Sequence, residues 1–375
     1  MKRMFLSLHR WLGLCAGIFL LLIGFSGSLL LFKSPIDRWA RPERYELQAG
    51  KPRVSLDSAC SILFSRYGSR FTSCSFDLPN DGEVYEFTLS GRSESIFSRS
   101  RYVVDIDPGS GRILREGDAR SLSTSPIHWL MYFHDSFNVG IAGMFFIGLV
   151  ALSLFASMIS GLLFYGRRIL DVLTFRLPLN SQSKTQFFRA LHIYAGVWAL
   201  VFNTVVFFTG FWMIRSVFEP ESWSFAPAKS PARVAVSIDS CIKRSRGLVP
   251  GFSPDFVSVP LAEGDPIEID GNNVTSSRLM DGDASSVMFD PRDGSVLEVL
   301  DATKAPLLKK ISAAFWQLHI GGYGGPLVKI IYAVGGLVPG VLSLSGYIVW
   351  WKRRRLYAAL RFQRPAISLT SADAG

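Results

Sequence analysis

Four stretches of the chain are apolar almost without interruption: Trp11 to Phe32, Val139 to Tyr165, Ile193 to Ile214 and Leu327 to Trp351. Each is long enough to cross the roughly 30 Å of a bilayer's hydrocarbon, which takes about 20 helical residues, and each is therefore read as a transmembrane helix. Between them the period changes. Residues 33–126 and 215–313 each open with a helical stretch, Ser58 to Tyr67 and Ile238 to Arg246, and continue with alternating residues, Val84 to Leu89 and Tyr102 to Ile106, then Ser286 to Phe289 and Ser295 to Val299. Alternation at period two marks half-buried strands. Asp107-Pro108-Gly109-Ser110-Gly111 and Asp290-Pro291-Arg292-Asp293-Gly294 read as tight turns between strands, Pro setting φ and Gly tolerating positive φ.

The expected architecture is membrane α-helical: four transmembrane helices from two tandem repeats, each repeat carrying a small α+β domain. Its parts are residues 1–32 (N-terminus and first span), 33–126 (first α+β domain), 127–166 (interfacial segment and second span), 167–190 (loop), 191–214 (third span), 215–313 (second α+β domain), 314–351 (interfacial segment and fourth span) and 352–375 (tail).

Composition agrees with membrane insertion. Of 375 residues 49% are hydrophobic and 13% aromatic, with a mean hydropathy of +0.26, too apolar for an ordinary soluble domain. The net charge of +10 is concentrated at the flanks of the spans: Lys2, Arg3 and Arg10; Arg167, Arg168, Arg176, Lys184 and Arg189; Lys352 to Arg355. The positive-inside rule then puts both termini in the cytoplasm and both α+β domains on the far side. The first run exceeds the about 7–15 apolar residues of a signal peptide and no Ala-x-Ala-like site follows, so it is expected to remain as a span. The bilayer is the partner that the charge distribution implies. Nucleic acid is not, because no basic stripe is interleaved with stacking aromatics. Cys60 and Cys74 lie in the same outer segment, where they could pair in an oxidising compartment or be small buried thiols like Cys241.

The chain has 5 histidines, and four fall into two matched pairs. Leu8-His9 recurs 183 positions later as Leu191-His192, with Gly13 as Gly196, Gly27 as Gly210 and Asp107-Pro108 as Asp290-Pro291. At an offset of 185, His134 recurs as His319 and Ser160-Gly161 as Ser345-Gly346. His9 and His192 begin the two outgoing spans; His134 and His319 begin the two returning ones. Repeats related by an axis along the membrane normal would set His9 opposite His192 and His134 opposite His319, the layers about 30 Å apart. Ionisable residues at such depths are functional candidates by default.

Two nitrogens facing each other across a bundle suit an iron porphyrin, which takes axial ligands from opposite sides in a flat apolar slot. His9, His192, His134 and His319 are thus candidate axial ligands of two haem b groups. Gly13 and Gly196, one turn beyond the cytoplasmic histidines, leave room for a macrocycle. Arg10, beside His9, and Arg189, one turn before His192, are placed to meet propionates, and Gly321, Gly322, Gly324 and Gly325 leave backbone space near His319. Zinc would recruit three or four compact ligands. Only Asp135 is near, and as the neighbour of His134 it points elsewhere. Helix packing through Gly13-x-x-x-Gly17 explains the glycines but leaves four matched histidines unexplained. His128 has no counterpart in the second repeat and reads as an interfacial residue among Trp129, Tyr132 and Phe133, with contact to substrate or haem at the outer surface as the alternative.

Leu8-His9-Arg10-Trp11, Phe133-His134, Leu318-His319-Ile320-Gly321-Gly322 and the ending Ser345-Gly346 to Trp350-Trp351-Lys352-Arg353 resemble the PepSY-associated transmembrane family of iron-regulated inner-membrane proteins. The resemblance covers nearly the whole chain. It implies a bacterial inner-membrane location, periplasmic PepSY-like domains, haem binding and reduction of ferric siderophores, hydroxamates in particular, at the periplasmic face. The expectation is therefore a di-haem reductase fed by a cytoplasmic or quinone-side donor and releasing Fe(II) for uptake. Two other classes stand beside it. A siderophore or iron permease would need a polar pathway, for which Asn203, Thr204 and Thr209 are the mid-span residues available. An accessory PepSY membrane protein without redox activity would leave the histidines merely interfacial.

Overall fold

The computed structural model describes residues 2–45, 53–68, 70–80, 83–92, 95–178, 183–224, 230–274, 277–280 and 285–362. In chain order its helices are α1 (Lys2–Leu30), α2 (Lys33–Ala40), α3 (Leu56–Tyr67), α4 (Pro126–Ser136), α5 (Gly140–Tyr165), α6 (Ile169–Leu173), α7 (Lys184–Trp198), α8 (Leu200–Ile214), α9 (Ile238–Leu248), α10 (Leu307–Ile320) and α11 (Gly325–Phe362). Four helical stretches are long and apolar enough to cross a membrane, Arg3–Leu30, Gly140–Leu173, Leu200–Phe218 and Gly322–Leu356. The third apolar run is divided between α7 and α8, which meet at Ala199. Large apolar side chains such as Ile18, Phe25, Ile159, Val201 and Ile330 remain exposed on these helices, as lipid-facing positions require.

Each returning span is preceded by a separate short helix, and the breaks have local causes. Between α4 and α5 the chain passes through left-handed conformations at Phe137 (φ 49°), Asn138 (φ 60°) and Gly140 (φ 59°). Between α10 and α11, Gly321 (φ 63°) and Gly325 (φ 70°) serve the same purpose at less steric cost.

The chain forms two compact units. One contains residues up to Gly24, Ser153–Val201 and the chain from Leu337 onward; the other contains Phe25–Leu152 and Phe202–Gly336. The second unit holds an eight-stranded antiparallel sheet in the order β4-β3-β2-β1-β5-β6-β7-β8. Strands β1 (Ser73–Asp77), β2 (Tyr85–Ser90), β3 (Arg101–Ile106) and β4 (Ile113–Asp118) come from the first segment. The second segment supplies β5 (Phe252–Pro260), β6 (Ile267–Asn273), β7 (Ser285–Phe289) and β8 (Val296–Leu300). The two segments, legible as separate α+β units in the sequence, close their inner edges on each other through β1 and β5, from Ser73 opposite Pro260 to Asp77 opposite Phe256. An unpaired edge would otherwise present a row of free N–H and C=O groups.

One face of the sheet carries the apolar core. Phe76, Phe87, Leu89 and Ile106 pack with Val257, Ile267, Val287 and Phe289 beneath Leu63 of α3 and Ile238 and Ile242 of α9. The two helices cap each other: Asp57 Oδ1 accepts from the Ile238 N–H at 2.5 Å, and Asp239 Oδ2 accepts from the Asp57 N–H at 3.0 Å. Cys60, Cys74 and Cys241 are free, buried thiols in this core. Burial pushes the Cys60 and Cys74 thiols far above their ordinary range.

The opposite face of the first segment's strands is charged. Glu86 of β2 and Asp105 of β3 lie directly opposite each other, an arrangement of like charges that needs compensation. Arg44 supplies it, with Nη2 at 2.9 Å from Glu86 and Nε at 3.6 Å from Asp105, while Arg41 Nη1 approaches Glu86 at 3.3 Å. Arg41 and Arg44 also grip Asp37 of α2, which accepts from the Tyr45 hydroxyl at 2.7 Å. Burial disfavours the charge on Asp37, but Tyr45 and the two guanidiniums outweigh it and hold its carboxyl below the usual range. Asp105 behaves oppositely: burial, and then Glu86, push its carboxyl up to about 6.

A carboxyl raised from 3.8 in the unfolded chain to about 6 in the fold binds more protons when folded. Its ionisation therefore withdraws stability as pH rises through that window, and below it the loss disappears. Asp105→Asn should raise thermal stability at pH 7.5 by about 1–3 kcal/mol and flatten the stability profile between about pH 4 and 6. Melting curves of purified protein across that range check this; an unchanged or lower midpoint at pH 7.5 would count against the assigned cost.

Candidate functional site

In the first unit, α1 carries His9 and α7 carries His192. His9 Nδ1 lies 2.8 Å from the Ser157 carbonyl oxygen and 3.1 Å from the Ser157 hydroxyl, both on α5. His192 Nδ1 lies 2.9 Å from the Leu342 carbonyl and 3.0 Å from the Ser345 hydroxyl, both on α11. A ring nitrogen against a carbonyl must carry the proton and donate it, so in the neutral ring Nε2 is the nitrogen with the free lone pair. The two rings face each other with centroids 6.0 Å apart and planes at 86°. Behind each lies a glycine: a Cβ on Gly161 would be 3.2 Å from His9 Cε1, and one on Gly346 would be 3.3 Å from His192 Cε1.

The second unit repeats the arrangement with the partners' roles taken by other helices. His134, on α4, has Nδ1 at 3.1 Å from the Ser26 hydroxyl of α1. His319, on α10, has Nδ1 at 2.9 Å from the Val206 carbonyl and 3.3 Å from the Thr209 hydroxyl of α8. The ring centroids are 6.2 Å apart at an interplanar angle of 51°. The glycines press closer here: a Cβ on Gly27 would sit 2.7 Å from His134 Cε1, and one on Gly210 would sit 2.8 Å from His319 Cε1.

A metal held by one nitrogen of each ring at about 2.0–2.1 Å places two opposed imidazole centroids about 6 Å apart. Both pairs stand at that separation. Among the described residues no group of three or more His, Cys, Asp or Glu side chains gathers to hold a metal. Each pair thus brings two imidazoles to a separation that suits the two axial ligands of a porphyrin iron better than zinc, which recruits three or four ligands. The carbonyl against Nδ1 of His9, His192 and His319 and the absence of a Cβ behind each ring fit the same use, since ligand histidines are oriented by a hydrogen bond to their other nitrogen.

The remaining sequence candidates are more dispersed. Gly13 faces open space, and a Cβ on Gly196 would make ordinary contact with Leu342 at 3.7 Å. Arg10 and Arg189 are exposed, Arg10 lying over the Trp11 ring at 5.6 Å. His128 belongs to neither pair. Its Nδ1 is 2.7 Å from the Ser125 hydroxyl that caps α4, its ring lies 6.3 Å from that of Tyr132, and Glu86, Arg41, Arg44 and Asp37 are its charged neighbours. Burial, opposed by nearby Glu86, holds its imidazole below the ordinary range. Of the residues that orient the four rings, Ser345 and Thr209 were named from sequence, one in the repeated Ser-Gly pair and the other as a mid-span polar residue, neither in this role; Ser26, Ser157 and the Val206 and Leu342 carbonyls were not. A Ser-Gly or Thr-Gly step in each span marks three of the hydroxyls directly, in Ser26-Gly27, Thr209-Gly210 and Ser345-Gly346; on α5 the step is Ser160-Gly161, and the residue against His9 is Ser157, one turn earlier.

Four helices long and apolar enough to cross a membrane, an antiparallel sheet and two histidine pairs define a multi-pass membrane protein. The signature of the PepSY-associated TM region matches residues 6–353, and the chain belongs to that family. No curated protein matches the sequence significantly.

The packing behind the rings makes a differential prediction. Gly27→Ala and Gly210→Ala should each destabilise the detergent-solubilised protein by about 1–3 kcal/mol, because overpacking against a ring outweighs the about 1 kcal/mol gained in helix propensity. Gly13→Ala, with nothing within 4 Å, should be neutral or slightly stabilising. Thermal unfolding of the three variants side by side decides it, and equal effects at all three positions would contradict the cradle geometry.

Proposed function

We propose that the chain is a bacterial inner-membrane oxidoreductase, built from two tandem repeats, that holds two haem b groups and reduces ferric siderophores at the periplasmic face. The observation that carries this reading is the pair of histidine couples at 6.0 and 6.2 Å, each ring with its Nδ1 committed to a neighbouring helix. Haem iron, when bound, supplies the one-electron chemistry that protein side chains lack. Resemblance to the siderophore reductase FoxB supports the substrate class, together with the short motifs shared across the family.

On this reading His9 and His192 hold the group nearer the cytoplasm, and His134 and His319 the group nearer the periplasm. Both termini are cytoplasmic and the sheet is periplasmic, as the basic flanks of the spans imply. The Ser157 and Leu342 carbonyls accept from Nδ1 and orient the first pair, with Nε2 as the nitrogen that would ligate; the Val206 carbonyl does so for His319, and Ser26 and Thr209 place a hydroxyl against Nδ1 of the second pair. The apolar helices exclude water from both pairs, and the family's PepSY-like sheet offers the surface where an acceptor docks. The electron comes from a cytoplasmic or quinone-side donor. Transfer of one electron converts the siderophore's Fe(III) to Fe(II), which binds hard-oxygen hydroxamate ligands far more weakly and is released for uptake.

The test is direct. Protein reduced beforehand and mixed anaerobically with a ferric hydroxamate siderophore should be reoxidised, with one Fe(II) captured by a ferrous chelator per electron transferred. Protein that stays reduced with ferric siderophores, yet is reoxidised rapidly by another acceptor, would remove siderophore reduction.

A further inference from the structure

Helix α4 presents two faces. His134 lies on one; His128, Tyr132 and Asp135, about one turn apart, line the other, where Tyr132 packs on Val103 of the sheet. Beside Asp135 stand two arginines, Arg99 in the loop before β3 and Arg101 at its first position. Arg99 Nη1 is 3.6 Å from Asp135 Oδ2, too long for a hydrogen bond. Its Nη2 is set against the Met144 thioether of α5, a weak acceptor. Arg101 is partly buried, with Tyr132, Arg99 and Asp135 as its ionisable neighbours, and its side chain makes no hydrogen bond or ion pair among the described residues.

The loop that carries Arg99 is held in place. The Ala142 N–H donates to the Ile96 carbonyl at 3.1 Å, and a Cβ on Gly140 would lie 2.7 Å from the Ser98 nitrogen. Only glycine lets α5 start this close. Two guanidiniums therefore stand fixed against one carboxylate, adjacent in sequence to a candidate ligand, with most of their N–H donors unused. The excess charge is confined to this side: 183 positions later the chain has Gly282 and Ala284.

We infer that Arg99 and Arg101 form a receptor for an oxyanion, a carboxylate or a phosphate, beside α4, the helix that carries His134. A planar guanidinium fork matches either group bidentately, and two partly buried cations that share one carboxylate leave an excess of charge that is costly. Two sources share this chemistry. One is a propionate of the haem at that pair, which rests on the function proposed above; the other is a phospholipid headgroup, which does not.

The experiment uses full-length protein purified in detergent, unaltered and as Arg99→Gln/Arg101→Gln. Release of haem to a scavenging apoprotein, followed optically, reports the first source; anionic phospholipid retained per chain, measured by mass spectrometry, reports the second. Removing a bidentate, charge-assisted pairing with a propionate should speed release of one of two haems by about tenfold or more, lower that haem's midpoint potential and leave the other haem in place as an internal control for folding. Arg101→Lys, which keeps the charge without the fork, should fall between. Loss of bound phospholipid with both haems unaffected assigns the site to lipid. Unchanged haem release, potential and lipid content in the double variant would overturn the receptor. Protein that purifies without haem would instead defeat the function proposed above, leaving the lipid measurement to decide the site.

Discussion

An imidazole placed among apolar helices must find a partner for its N–H inside the protein, because hydrocarbon offers none and an unsatisfied donor costs several kcal/mol. That constraint organises the molecule. Three of the rings lie against a hydroxyl at 3.0–3.3 Å in addition to a backbone carbonyl, and the fourth, His134, meets the Ser26 hydroxyl at 3.1 Å. Freeing a carbonyl or placing a hydroxyl beside a ring demands close approach, and the glycine next to each position permits it. Helix rotation, ring tautomer and the direction of the free nitrogen are consequently set together. Changing any one disturbs the other two.

The same logic links the sheet to the second histidine pair. His134 and His319 are carried by α4 and α10, short helices separated from the following spans by left-handed turns, and the strands preceding these helices belong to one continuous sheet. The seam between β1 and β5 therefore fixes the two halves on which the helices are mounted. The halves are not equivalent. A network of Asp37, Arg41, Arg44, Glu86 and Asp105 belongs to the first, and Arg99 and Arg101 stand separately against Asp135 of α4, whereas α10 buries the neutral Gln317.

Much of this was legible in the sequence. The four apolar runs, the alternation of Tyr102 to Ile106 and the Asp-Pro turns mark the elements because period and turn chemistry are local properties. The pairing of His9 with His192 and of His134 with His319 was readable because rare residues recurring at a constant offset leave few alternatives. The joining of the two sheet halves was not readable, since the edge of β1 has no sequence mark that distinguishes it from any other edge strand. Nor were the charged network and the orientation of His128, which depend on which face of β2 and β3 is covered by α2 and α4. Gly13 and Gly196 were plausible space-makers by helical spacing alone. The glycines that touch the rings are those of the facing helices, a relation that only tertiary structure supplies.

The central claim is that each histidine couple holds one haem, and the optical spectrum of the purified protein with its haem-to-chain ratio tests it most directly. The account predicts a reducible Soret and α/β spectrum with two haems per chain. One haem should be missing in both His9→Ala and His192→Ala, the other in both His134→Ala and His319→Ala, and neither in His128→Ala. A protein without a Soret band, or one in which all four variants lack a single common haem, would contradict it.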